Sequence, residues 1–272
     1  KMIDLMRSLQ LPRYGLSKYI SEGKTVDASR QEKQLIENLS RAGQRMMGFC
    51  MSTFFKRIDS SGFSFLLTLY RHILRNCVFI YALDNKLRLP ISDENQLPED
   101  YIEDEDVSTT VFGAEQDVKA TVGSTLHIPT DLGLYTQKSK EYYDIITNKN
   151  NVAWLPSDYF KRSLKQQLAK DCDTLIQMIK LCGDWQQQTD EKLNELQRLI
   201  KVIIFTQYSD TARYLYNQLR KRGVEDIDYA TGDSDNPTDI VERFSPKSND
   251  KKDLPKEKET RILVATDVLS EG

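Results

Sequence analysis

The stretch from Lys201 onward constrains the fold most. "KVIIF" at residues 201–205 is a continuous apolar, largely β-branched run, the pattern of a parallel strand covered on both faces rather than of a half-exposed strand that alternates. "SDTARYLYNQLRKRG" follows, with Ser209 placed to cap a helix, a Lys/Arg cluster in the last turn and Gly223 just past the end. "DIDYATG" reads as a second strand, "PTDIVERF" as a helix with proline in its first turn, and "RILVA" as a third strand. Strand, helix, strand, helix, strand with short connections is the doubly wound α/β pattern, and it requires a parallel sheet.

Upstream the texture is helical. Ser29 is placed to cap "RQEKQLIENLSRAGQRMMGF", in which Leu35, Ile36, Leu39, Met46 and Met47 fall near helical spacing. Residues 61–83 are apolar enough for a well-buried helix. From 84 to 130 periodicity is lost while prolines and acids accumulate, which predicts an exposed insertion. Helical patterns resume in "TQKSKEYYDIITNKN", across residues 156–182, and in "TDEKLNELQRLI", with Thr189 as its cap and Leu193, Leu196, Leu199 and Ile200 on one face. The reading divides the chain into a helical region (1–83), an acidic irregular insertion (84–130), a second helical region (131–190) and a partial α/β lobe (191–272). The fold class is therefore α/β, a doubly wound parallel sheet preceded by a mostly α-helical region. "NELQRLIKVIIF" passes from helix to strand with no turn-forming residue at the junction, so residues are expected to be missing there. The ending at Gly272, inside a polar turn after the third strand, is compatible with a cut or unfinished domain.

Bulk composition narrows the function. The 272 residues carry 38 Lys and Arg against 41 Asp and Glu, for a net charge of −3, which is not the footprint of a strongly basic nucleic-acid binder. Charge is uneven, however: "DENQLPEDYIEDEDV" is acidic, whereas "LPRYGLSKY" and "YFKRSLKQQLAK" are basic, so a local basic surface is compatible with an acidic total. No run approaches the roughly 20 apolar residues of a membrane span, and the first residues form no secretory leader; the expectation is a soluble cytoplasmic protein without a membrane partner. Cys50, Cys77, Cys172 and Cys182 are scattered without a CxxC pair and read as reduced, mostly buried thiols. With only His72 and His127 as imidazoles, no metal site is expected. Trp154 and Trp185 read as packing residues.

Ligands of an open α/β sheet gather beyond the carboxyl ends of its strands. There the sequence places Thr206, Gln207, Tyr208 and Ser209 after the first strand, Thr231, Gly232, Asp233 and Ser234 after the second, and Thr266, Asp267, Ser270, Glu271 and Gly272 after the third. Hydroxyls, small residues and helix starts at all three edges suit phosphate. The plainer account of Ser209, Ser234 and Thr266 is capping and turn formation. In "FFKRIDSSGFSF", Lys56 and Arg57 read either as phosphate contacts at a helix start or as solvated charges of an amphipathic helix.

"KVIIFTQYSDTARYLYNQL", "YATGDSDNPTDIVERF" and "RILVATDVLSEG" together resemble motifs IV, IVa and V of superfamily 2 helicases, in order and at suitable spacing. "FTQYSDTA" and "ATDVLSEG" are most similar to the Swi/Snf-like ATPases, close to bacterial members of the RNA-polymerase-recycling type; "FKRIDSSGFSFLLTLYRH" and "ERFSP" resemble segments of that group less specifically. The resemblance implies a RecA-like second lobe, truncated after motif V, of an ATP-dependent DNA helicase or translocase. It implies nucleic-acid contacts at Gln207, Tyr208, Ser209, Gly232, Asp233, Thr266 and Asp267, extended by Lys56 and Arg57, and a share in the nucleotide site for Glu271 and Gly272. DNA is the expected partner, with RNA as the alternative, together with a first lobe of the same protein. ATP and Mg2+ serve that whole protein. This chain, lacking a GxxxxGK[ST] loop, a DExx acid pair on a strand and the arginine of motif VI, is expected to bind neither and to hold no complete catalytic set. The competing reading is a noncatalytic protein- or nucleic-acid-binding module on a degenerate RecA-like lobe. A third reading is an unrelated doubly wound enzyme for small molecules, which a GxGxxG after the first strand would support and "FTQYSD" lacks.

Overall fold

In the computed structural model, residues 1–91, 125–148, 152–196, 201–251 and 254–266 are described, and they fall into two compact units. Unit 1 comprises residues 1–59, 65–117 and 127–184; unit 2 comprises residues 60–64, 118–126 and 185–272.

Unit 1 is helical. After the short α1 (Met2–Ser8) come single 3-10 turns, then the long α2 (Arg30–Ser60). Ser29 caps α2 as expected: its hydroxyl accepts the Glu32 N–H at 3.2 Å while the Glu32 carboxylate accepts the Ser29 N–H at 3.0 Å, a reciprocal capping box. Helix α3 (Gly62–Asp84) is buried nearly all round from Phe65 to Phe79, as a central core helix must be. Two of its buried polar groups share one partner: the Arg13 guanidinium donates to Asn76 Oδ1 at 2.9 Å and to His72 Nδ1 at 3.2 Å, so the His72 ring is held with its proton on Nε2.

The region expected to be irregular begins with order. Strand β1 (Arg88–Ile91) pairs antiparallel with β3 (Ala153–Pro156), setting Leu89 opposite Leu155, both fully buried. β2 (Thr125–Leu126) lies near the other end of the insertion; residues 92–124, where most of the expected insertion falls, lie outside the described residues. Alternating burial in "RLPI" is the signal that was too short to register. Helix α4 (Leu132–Thr147) and helix α5 (Arg162–Cys182) match the two helical patterns, except that residues 153–156 form strand β3 and the α5 helix starts six residues later than expected. Leu164, Leu168, Cys172, Leu175 and Ile179 line the buried side of α5 at helical spacing. Cys50, Cys77 and Cys172 are buried free thiols, whereas Cys182, at the end of α5, is exposed. Among the described residues no helix is long and apolar enough to cross a membrane.

Unit 2 holds the sheet. β5 (Val202–Phe205), β7 (Ile262–Ala265) and β6 (Ile227–Ala230) pair in that order, all parallel, so the last strand in sequence is central. Helix α7 (Ser209–Lys221) and the short α6 (Glu191–Leu196) cover one face, packing Leu193, Ala212, Leu215 and Leu219 on Ile227, Ile262 and Val264. Helix α8 (Pro237–Phe244) covers the other, with Ile240 and Phe244 against Ala230, Leu263 and Ala265. A strand–helix–strand step outward and a step back place successive helices on opposite faces, as crossovers of one handedness require. Strand β4 (Trp185–Gln186) pairs with β2 beside this core. Mixed α/β, with a parallel sheet preceded by helices, is the observed class.

Three local expectations are corrected. β5 is not covered on both faces: Val202 and Ile204 pack inward, while Ile203 and Phe205 are 42% and 61% exposed. Ser209 is the first residue of α7 rather than its cap; the cap position is Tyr208, which makes no side-chain capping bond. Thr189 does not cap α6 either; Asp190 does, accepting the Leu193 N–H at 3.0 Å. Gly223 fulfils its role, taking a φ of 85° just after α7. The suspect junction at residues 197–200, with Leu199 and Ile200, lies outside the described residues.

Candidate functional site

The parallel register aligns the three strand ends. Phe205, Ala265 and Ala230 are register partners across the sheet. The ladder continues one residue beyond them, with the Thr206 N–H donating to the Ala265 carbonyl at 2.9 Å and the Thr266 N–H to the Ala230 carbonyl at 3.0 Å. Thr206, Thr266 and Thr231 therefore sit side by side on one rim, each following a hydrophobic strand. Parallel pairing, not sequence proximity, brings them together.

The loop after β6 is the most structured part of this rim. The Thr231 hydroxyl donates to Asp233 Oδ1 at 2.5 Å, the Thr231 N–H donates to the Ser234 hydroxyl at 2.9 Å, and the Ser234 N–H returns to the Thr231 carbonyl at 2.9 Å. The Arg213 guanidinium, one turn into α7, pairs with Asp233 Oδ2, joining the helix that follows β5 to the loop that follows β6. Burial alone would push the Asp233 carboxyl up, but the Thr231 hydroxyl and the Arg213 guanidinium outweigh it and hold the group below the usual carboxylate range. Asp233 is therefore an anion at neutral pH and does not serve as a proton donor. Gly232 takes an ordinary backbone conformation, and a Cβ there would meet nothing within 4 Å, so its surface is open to approach.

No protein-family model, curated protein or solved structure matches this chain.

Of the expected contacts, Gln207, Gly232 and Asp233 are exposed on the rim and Ser209 is partly so. Tyr208 is 2% and Thr266 4% exposed, so neither is open at the surface. Asp267, Glu271 and Gly272, including the whole expected nucleotide contribution, lie outside the described residues.

The helix start expected at Lys56 and Arg57 is corrected. They occupy the last turns of the continuous α2 rather than a helix start, where the backbone presents carbonyl oxygens and the partial negative end of the helix dipole. Arg57 is 2% exposed, because Cys50, Thr53, Phe54 and Arg57 are spaced i, i+3, i+4 and i+7 and share the buried face. That spacing is legible in the sequence and marks Arg57 as interior. Lys56 remains on the surface of unit 1.

Sequence reasoning missed Arg213 and Thr211. Arg213 stands four residues after Ser209, on the face of α7 that meets the next loop, a pairing that no local pattern reveals. No group of three or more His, Cys, Asp or Glu able to hold a metal occurs among the described residues. Chemically the described residues of the rim offer hydroxyls, the open backbone at Gly232 and a carboxylate paired with Arg213, an arrangement able to meet an anion.

Proposed function

We propose that this chain is part of an ATP-dependent DNA helicase or translocase, supplying the second RecA-like lobe with its nucleic-acid contacts and a share of the interlobe ATP site. The observation that carries the reading is the register of three parallel strand ends, which gathers the hydroxyl-bearing segments "FTQYS" and "ATGDS" and Thr266 on one rim. Helices covering opposite faces of the sheet, with the last strand in the middle, support it further. In this reading Gln207, Ser209 and Gly232 meet the phosphate backbone, largely through N–H groups, which confers no sequence preference. Glu271 and Gly272 contribute to the nucleotide site, and ATP and Mg2+ are held mainly by a first lobe.

The test is duplex and single-strand binding by fluorescence anisotropy at low ionic strength. Sequence-independent binding of micromolar affinity or poorer is expected, with a shallow salt dependence because few phosphates are contacted. Gly232→Glu adds a carboxylate where a Cβ meets open space, and it should reduce binding tenfold or more (roughly 1.4 kcal/mol), whereas Lys56→Ala should leave it unchanged. Parental affinity in Gly232→Glu would remove the rim from the reading. The exposed Ile203 and Phe205 on the open face of β5 favour the second reading, a noncatalytic docking module; loss of a protein partner rather than of DNA on Phe205→Ser would decide for it.

A further inference from the structure

The corner between α2 and α3, Ser60–Ser64, belongs to unit 2 although the helices on either side of it belong to unit 1. Its side chains explain why. The Thr211 hydroxyl, in the first turn of α7, is shared by Ser60 Oγ at 3.2 Å and Ser64 Oγ at 3.0 Å. Thr211 is 5% exposed and Ser64 fully buried, with Ser60 half-buried beside them, so the buried Thr211 hydroxyl finds its partners within the protein. One turn further along α7, Phe63 stacks on Tyr214 with ring centroids 4.7 Å apart and meets Trp185 edge-on at 5.4 Å. The Tyr214 hydroxyl in turn donates to Asp190, the residue that caps α6. Sequence positions more than 120 residues apart are thus locked onto the two opening turns of one helix.

We propose that this corner is a positioning clamp: Ser60 and Ser64, acting through Thr211, fix the first turn of α7 and with it the rim at residues 206–209. Thr211, Ser60 and Ser64 are positioning residues and need touch no ligand. The clamp stands on the contacts above; only its effect on phosphate binding rests on the nucleic-acid reading.

The experiment uses the full chain with Thr211→Val, which keeps the shape and removes the hydroxyl, and Thr211→Ser, which keeps the hydroxyl. Hydrogen exchange is followed at the amides of residues 209–213 and of α8, together with the affinity for a fluorescein-labelled duplex. Thr211→Val should speed exchange at residues 209–213 by about five- to tenfold, the change expected when the hydroxyl that bonds both Ser60 and Ser64 is removed, with α8 at the parental rate. Thr211→Ser should restore the parental value, and duplex affinity should fall by a similar factor in Thr211→Val only. Parental exchange in Thr211→Val, or a Thr211→Ser variant that behaves like it, overturns the clamp. If Thr211→Val does not fold, Ser60→Ala decides: roughly two- to threefold faster exchange supports the clamp and no change overturns it. If exchange responds as expected while even the parent fails to bind duplex, the clamp holds and the nucleic-acid reading fails.

Discussion

Leu11 adopts a left-handed backbone, φ 49°, which costs an L-residue about 1 kcal/mol or more. Asp171 offsets that strain from α5: one carboxylate oxygen accepts the Leu11 N–H at 2.7 Å and the other the Gln10 N–H at 3.1 Å. Since Asp171 is 1% exposed, Asp171→Asn would turn an amide NH2 toward one of these donors. A loss of about 1–3 kcal/mol is expected, read as a lower urea midpoint; an unchanged midpoint would show that the bend holds itself. Nothing in "LQLPRY" announces this arrangement, because its partner lies 160 residues away.

At the scale of elements, the start of α2 couples local capping to pH. Glu32 accepts the Ser29 N–H, the Arg88 guanidinium at 2.6 Å and the Tyr159 hydroxyl at 3.2 Å. The backbone bond to Ser29 is the largest of the influences on its carboxyl, and despite partial burial the group is held below its ordinary 4.5. A depressed folded value means that the stabilisation is fully present above about 4.5 and disappears as pH falls through the lower value. Glu32→Gln should therefore cost about 1 kcal/mol at pH 7 and little in strong acid. An equal loss at both would remove the charge from the account. In the neighbouring β1–β3 ladder, Leu155→Ala opens a cavity opposite Leu89 and should cost about 2–5 kcal/mol; a loss below 1 kcal/mol in thermal unfolding would mean that the ladder collapses to fill it.

For the whole molecule, the absence of a GxxxxGK[ST] loop from the sequence sets what is expected of the chain alone. Purified chain should show no DNA-stimulated ATP hydrolysis above background, since the loop lysine and hydroxyl of GxxxxGK[ST] that hold phosphate and Mg2+ do not occur in the sequence. Turnover that rises with added duplex and is abolished by Gly232→Glu would overturn this.

The sequence by itself determined the α/β class of residues 201–266, the helices α3, α4 and α7, the Ser29 cap and the Gly223 terminus, because capping, helical periodicity and β-branched runs are local signals. It also carried the spacing that buries Arg57, although the phosphate reading of "FKR" obscured it. Tertiary structure alone decided the rest. Only strand pairing sets Thr206, Thr266 and Thr231 beside one another, only packing buries Tyr208, and only the fold brings Ser60, Phe63 and Ser64 to Thr211 and Tyr214. A side chain's burial depends on what lies against it, and here the contacting residue is commonly more than 100 positions away, beyond the reach of any local pattern.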